Sequence, residues 1–240
     1  MIAFFKTIVY TPLYNSLIFI LNIDWVDAGI AAVILTIVVK MILYPLTKKT
    51  TITQVRMKEK EKDLALIKEK YKDKQEQAVK MMEFYKENNI NPFSGIFSIF
   101  IQIPIIYSLF YIFSRSGLPT IDTTILYSFV NAPIEVSMQF LGLIDISQKS
   151  LILALLAAAS TFWQTHLSTK SITLASSINT GSKDDFASMM TKQMKYTMPL
   201  VVFFVSWQTS GVLALYWFVS NLVGIAQEMY IKRRIVTLQS

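Results

Sequence analysis

Apolar residues in this chain fall in blocks of helical length, separated by stretches where lysine and glutamate interleave or where Pro, Asp and Ser gather. A helix needs roughly 17 to 25 mostly apolar residues to cross about 30 Å of hydrocarbon at about 1.5 Å per residue. Blocks at 27–46, 93–114 and 150–167 meet that length. A last block, 196–230, is too long for one helix, and WQTSG at 207–211 offers its break, giving spans at 196–208 and 209–230. The pattern predicts an all-α polytopic membrane protein with five transmembrane helices.

Residues 1–26 fit this pattern less well. Thr7, Tyr10, Thr11, Pro12, Asn15 and Ser16 interrupt IAFFKTIVYTPLYNSLIFIL, and no basic n-region precedes it. A sixth span and an uncleaved signal anchor are the alternatives, and the polar interruptions favour an external amphipathic helix at the membrane interface.

In segment 47–92, Leu64, Ile67 and Tyr71, then Ala78, Met81, Met82 and Tyr85, recur at helical spacing on either side of a polar KDKQ. This predicts a cytoplasmic helical hairpin with a narrow apolar seam. Its interleaved acids and lysines read as a solvated face or as a binding surface. Stretch 115–149 forms an external loop resting partly on the outer surface. Segment 168–195, small and polar, reads as a flexible cytoplasmic loop, and 231–240 as a cytoplasmic tail.

Charge sets the orientation. Twelve Lys and Arg lie in 47–92, four in 168–195 and three in the tail, whereas Lys6, Arg115 and Lys149 lie opposite. Cytoplasmic loops retain such residues, so the N-terminus is expected outside and the C-terminus in the cytoplasm.

The 240 residues are 53% hydrophobic and 16% charged, with mean hydropathy +0.44, too apolar for an ordinary soluble domain. Net charge +7 favours weak contact with polyanions or anionic lipid, without a uniform nucleic-acid patch, so no specific DNA binding is expected. Lack of cysteine excludes disulfides and thiolate metal sites. A single histidine, His166, and the absence of a Gly-rich phosphate loop argue against a metalloenzyme, and no cofactor is expected.

Lys40 sits about six residues inside its span, about 9 Å deep. One reading is snorkelling to the interface; the other is a charge facing a wet cavity, since an unsolvated lysine there costs about 3 kcal/mol. Thr36 lies one turn earlier on the same face. Every other span also carries polar residues, among them Gln102, Ser108, Ser160, Thr161, Gln164, Ser206, Ser220, Asn221 and Gln227. Interhelical hydrogen bonding accounts for any one of them, and a hydrated groove open to the cytoplasm accounts for their convergence. No Ser/Lys dyad is persuasive, and the net negative charge a proton relay needs is absent from the spans, so an enzyme is not expected.

The segments VVKMILYPLTKKT, NPFSGIFSIFIQIPIIYSLFYIF, FLGLIDIS and MKYTMPLVVFFVSWQTSGVLALYWFVSNLVGIAQ resemble, in order and spacing, the core of the YidC/Oxa/Alb membrane protein insertases, in the short form without a large periplasmic domain. The resemblance implies a five-span core enclosing a hydrophilic groove. It implies a client-binding role for Lys40, where the family usually has arginine, and for Thr36, Gln102 and the aromatic pair Tyr216 and Trp217. Gln164 and Asn221 join this candidate groove. Lysine keeps the charge but lacks the planar fork that grips a carboxylate. The implied function is acceptance of hydrophobic client segments and their release into a bacterial cell membrane. The alternative is an assembly chaperone or structural subunit serving a separate translocase. Expected partners are nascent membrane proteins and membrane lipids, with the ribosome, the signal recognition pathway and the Sec translocase as further ones.

Overall fold

The computed structural model describes residues 5–91, 94–114, 118–169 and 184–239. A π-helical turn, Lys6–Tyr10, leads into α1 (Thr11–Leu21), followed by α2 (Ala28–Ile42), α3 (Tyr44–Glu59), α4 (Glu61–Lys70), α5 (Lys74–Glu87) and α6 (Ser94–Ser114). After a 3-10 turn and the short strands β1 (Gln139–Phe140) and β2 (Ile144–Asp145) come α7 (Leu151–Thr169), α8 (Asp184–Gln208) and α9 (Gly211–Gln239). The protein is mostly helical. Among the described residues, the stretches Leu151–Ser168 and Gly211–Ile235 are long and apolar enough to cross a membrane, and the broken pair α2 and α3 supplies a third candidate.

Two differences from the sequence pattern have clear physical causes. The first apolar helix stops at Ile42, short of the expected 46, because Pro45 has no N–H to give and its ring clashes with the carbonyl four residues earlier. A new helix opens at Tyr44, the proline falling in its first turn, where it is tolerated. The stretch expected to be a flexible loop up to 195 is already helical from Asp184. The sequence that follows is rich in Ala, Met, Lys and Gln, strong helix formers. The earlier part of that expected loop, 170–183, lies outside the described residues.

The chain divides into two units. The first comprises Met1–Leu43, Ile99–Thr161 and Pro199–Val223. Its core is apolar: Tyr14, Leu17 and Ile18 of α1, Ala28, Ala31, Ala32 and Leu35 of α2, Leu109 and Ile112 of α6, and Val212 to Tyr216 of α9. The run of small residues in α2 lets neighbouring backbone approach closely.

Asn15, one of the polar interruptions in the sequence, ties α1 to the loop after α6 together with Tyr14 and the C-terminal cap residue Asn22. Asn15 donates from Nδ2 to Ile125 O (2.9 Å) and accepts from Tyr127 N (2.6 Å). Tyr14 OH accepts from Asp122 N (2.8 Å), and Asn22 donates to Asn131 O (2.7 Å). The β1–β2 pair is antiparallel, Phe140 opposite Ile144. Its surroundings hold two helix starts, where backbone N–H groups lack intrahelical partners. Asp27 caps α2 through Ile30 N (2.7 Å) and accepts Leu141 N (2.8 Å) on its other oxygen, while Ala28 N donates to Ser137 O. Gly211 N and Val212 N at the start of α9 donate to Gln148 O (2.8 Å) and Ile146 O (3.1 Å).

The second unit comprises Tyr44–Ser98, Phe162–Met198 and Gly224–Ser240. Met57, Leu64, Met81, Tyr85 and Ile90 form its buried cluster, with Ile67 packed against it, while Met82 faces out. Asp73 caps α5 by accepting from Gln75 N and Glu76 N, and Gln77 donates to Lys68 O and Tyr71 O, closing the turn between α4 and α5. Tyr85 is 1% exposed and its hydroxyl meets no partner among the described residues. Burial pushes its ionisation up to about 12.

Candidate functional site

The first unit holds six of the seven residues singled out from the sequence. Thr36 and Lys40 lie four apart on α2 and so share a face. Thr36 is buried, its hydroxyl donating back to Ala32 O (2.6 Å), a bond that satisfies a polar group inside an apolar helix. Lys40 stands half-buried in the last turn, where a cation complements the exposed carbonyl end of the helix.

Gln102 lies on α6 two residues before Pro104. Its amide donates to the hydroxyl of Tyr216 on α9, and Ser220, one turn further along α9, hydrogen-bonds to the same hydroxyl. Trp217 follows on α9, half-buried and packed on the apolar core. Asn221 is buried and donates from Nδ2 to Ser160 Oγ (3.0 Å) and Thr161 Oγ1 (2.7 Å) of α7. Both hydroxyls in turn donate to Ala157 O, at 2.9 and 2.7 Å. Buried Ser108 and Ser206 have hydroxyls with no partner among the described residues, an unusual circumstance for groups so enclosed.

Gln164 belongs to the second unit. Its side-chain nitrogen lies so close to Gly224 that a Cβ there would sit 2.6 Å away, so the missing side chain of Gly224 makes room for this amide. Further along the same two helices, Ser168 Oγ donates to Glu228 Oε2 (2.8 Å), and Lys232 Nζ donates to Glu228 Oε1 (2.5 Å) and to Leu167 O (3.3 Å). Glu228 is an acid inside the last expected span that sequence reasoning passed over. Its place four residues before Lys232 was the available signal, since that spacing lets opposite charges meet on a helix.

Chemically, these residues of the first unit offer neutral donors and acceptors on α2, α6, α7, α8 and α9 within an apolar core, with the Lys40 cation at the end of α2. Among the described residues no cluster of His, Asp and Glu suited to a metal ion occurs.

Residues 20–238 match a family model described as 60Kd inner membrane protein. The membrane protein insertase YidC of Clostridium perfringens is 34% identical over 214 residues, covering 88% of this chain and 82% of that protein. The one from Fusobacterium nucleatum is 31% identical over 230 residues, covering 94% and 98%. That of Wolinella succinogenes is 31% identical over 219 residues, or 89% of this chain and 36% of a longer relative. With a family match spanning nearly all of the described helices and relatives of similar length, the chain belongs to the YidC/Oxa/Alb family of membrane protein insertases, which are not enzymes.

Proposed function

We propose that this chain accepts hydrophobic segments of nascent membrane proteins from the cytoplasm and releases them into a bacterial cell membrane. In this reading five helices cross the bilayer, the N-terminus lies outside, and α4 and α5 form a cytoplasmic hairpin at which clients are first met. Thr36, Lys40, Gln102, Tyr216, Trp217 and Asn221 line the client's path. The driving force is the client's own transfer from water, about 25 cal/mol per Å² of apolar surface. Lys40 holds an acidic or polar client flank while the apolar part partitions into lipid.

The observation that supports this most is the entry of polar groups from α2, α6 and α9 into a unit whose core is otherwise apolar. Buried polar groups are costly, and a polar path gives them a use. Ribosome, signal recognition pathway and Sec translocase remain proposed partners. The experiment is reconstitution of the full chain into lipid vesicles with one single-span client. Unaided insertion supports the proposal. Insertion only after a separate translocase is added supports an assembly chaperone, and none under either condition removes both.

A further inference from the structure

The loop between α6 and α7 and the link between α1 and α2 expose large apolar side chains: Trp25 and Phe129 are each 71% exposed, Leu143 82% and Ile134 102%, with Ile23 and Leu141 also outward. These residues belong to three chain segments held against one another. Asn22 donates to Asn131 O, Leu141 N donates to Asp27, and Ile23 and Ile134 line the same cleft.

The β1–β2 tip adds a conformational argument. Leu143 N donates to Phe140 O (3.0 Å), closing a turn whose central residues, Leu141 and Gly142, have φ of 52° and 69°. Turns of this kind favour Asn-Gly, because a branched side chain at positive φ is strained. A strained leucine beside an exposed one, with no polar turn residue, points to a use for the apolar surface.

Position identifies the partner. Directly after β2, Ile146 and Gln148 accept the first N–H groups of α9, and α7 begins at Leu151 with Leu151, Ile152 and Leu155 exposed. Both helices contain stretches long and apolar enough to cross a membrane, so the tip stands where they enter the bilayer. Nearby charges are Asp24, Asp27, Glu135 and Asp145, with Lys149 donating to Gln208 beside the start of α9, a mainly acidic set that offers anionic headgroups little attraction. Tryptophan favours the interface between hydrocarbon and headgroup, and apolar side chains seat there without charge pairing.

We propose that Ile23, Trp25, Phe129, Ile134, Leu141 and Leu143 form an apolar surface that seats in the outer leaflet of the bilayer. The choice of leaflet rests on the orientation proposed above. The chain has no cysteine, so one introduced thiol carries a spin label without background. Leu143→Cys and Ile134→Cys, with Lys72→Cys as the cytoplasmic aqueous reference, are labelled in the full chain in right-side-out and inverted membrane vesicles. Expected is broadening of the 143 and 134 signals by oxygen but not by an impermeant nickel chelate outside, with the position-72 signal reached by the chelate only in inverted vesicles. Chelate broadening at 143 and 134 from outside, as strong as at position 72 in inverted vesicles, places the tip in water and overturns the lipid contact. A position-72 signal reached from outside in right-side-out vesicles overturns the orientation, and the leaflet assignment with it.

Discussion

The side-chain amide of Gln102 donates to the hydroxyl of Tyr216 across 114 residues of sequence, joining α6 to α9 within the apolar core of the first unit. A neutral bond in such surroundings matters most when broken on one side. Tyr216→Phe leaves a half-buried amide without its acceptor and is expected to lower stability by about 1–3 kcal/mol, whereas adding Gln102→Leu removes the stranded donor and recovers much of the loss. Thermal unfolding in detergent of the two single variants and the double variant reads this coupling. Additive losses would show that the bond contributes nothing of its own.

Tyr85 makes the second unit sensitive to alkali. Among the described residues its buried hydroxyl meets no partner, and burial holds its ionisation up to about 12. In the unfolded chain a tyrosine loses its proton near pH 10. Between about pH 10 and 12 the unfolded state therefore binds fewer protons than the folded one, and stability falls as pH rises, by about 1.4 kcal/mol per unit. Tyr85→Phe lacks this slope and leaves no buried hydroxyl unsatisfied, so it should melt at or above the native temperature at pH 8. The margin should widen at pH 11, measured by circular dichroism. Equal pH slopes for the two proteins would refute the assignment.

Two glycines make opposite predictions. A Cβ at Gly29 would lie 2.3 Å from a ring carbon of Phe140 and 2.7 Å from its Cβ, so the whole side chain must move, whereas at Gly224 it would meet only the far end of Gln164. Gly29→Ala should cost about 1–3 kcal/mol by overpacking, and Phe140→Ala in the same chain should relieve it in part. Gly224→Ala replaces a poor helix former and should lie within about 1 kcal/mol of neutral once Gln164 turns aside. Denaturation midpoints in detergent rank the pair, and the reverse order would contradict the packing.

The length of apolar runs marked the long helices, and helical periodicity marked the pair α4 and α5, because apolar residues recurring along one helix are buried on one seam. The break at Thr209 and Ser210 between α8 and α9 falls inside WQTSG, where the apolar run exceeded one helix length. The seam residues Leu64, Met81 and Tyr85 are buried together for the same reason. What was not legible is what depends on distant partners. Asn15 in α1 looked like a polar interruption, yet it holds two backbone groups more than a hundred residues away. Asp27 serves α2 and the β-hairpin at once, which local capping rules show only in half. Gln164, a groove residue by its sequence position, packs on Gly224 in a unit apart from the other candidates. The acid at Glu228 stands among apolar neighbours that dominate its window, and its pairing with Ser168 needs a second helix.

Lys40 carries the clearest functional prediction. It is half-buried at the end of α2, one turn from buried Thr36, and the proposed client path requires its charge. Hydrogen bonds to charged groups contribute about 1.5–3 kcal/mol, so Lys40→Ala should reduce insertion of a client with an acidic N-terminal tail by about 10- to 100-fold. A client with a neutral tail should be affected far less, since its transfer depends on apolar area alone. Lys40→Arg keeps the charge and adds a planar fork that grips a carboxylate with two bonds, so it should match or exceed the native chain on the acidic tail. Lys40→Glu should fail on the acidic tail more severely than alanine, because like charges repel in a poorly solvated site. The measurement is the protease-protected fraction of each client in vesicles carrying equal amounts of each variant. An equal fall for acidic and neutral tails would mean that Lys40 supports the fold and has no part in reading the client's charge.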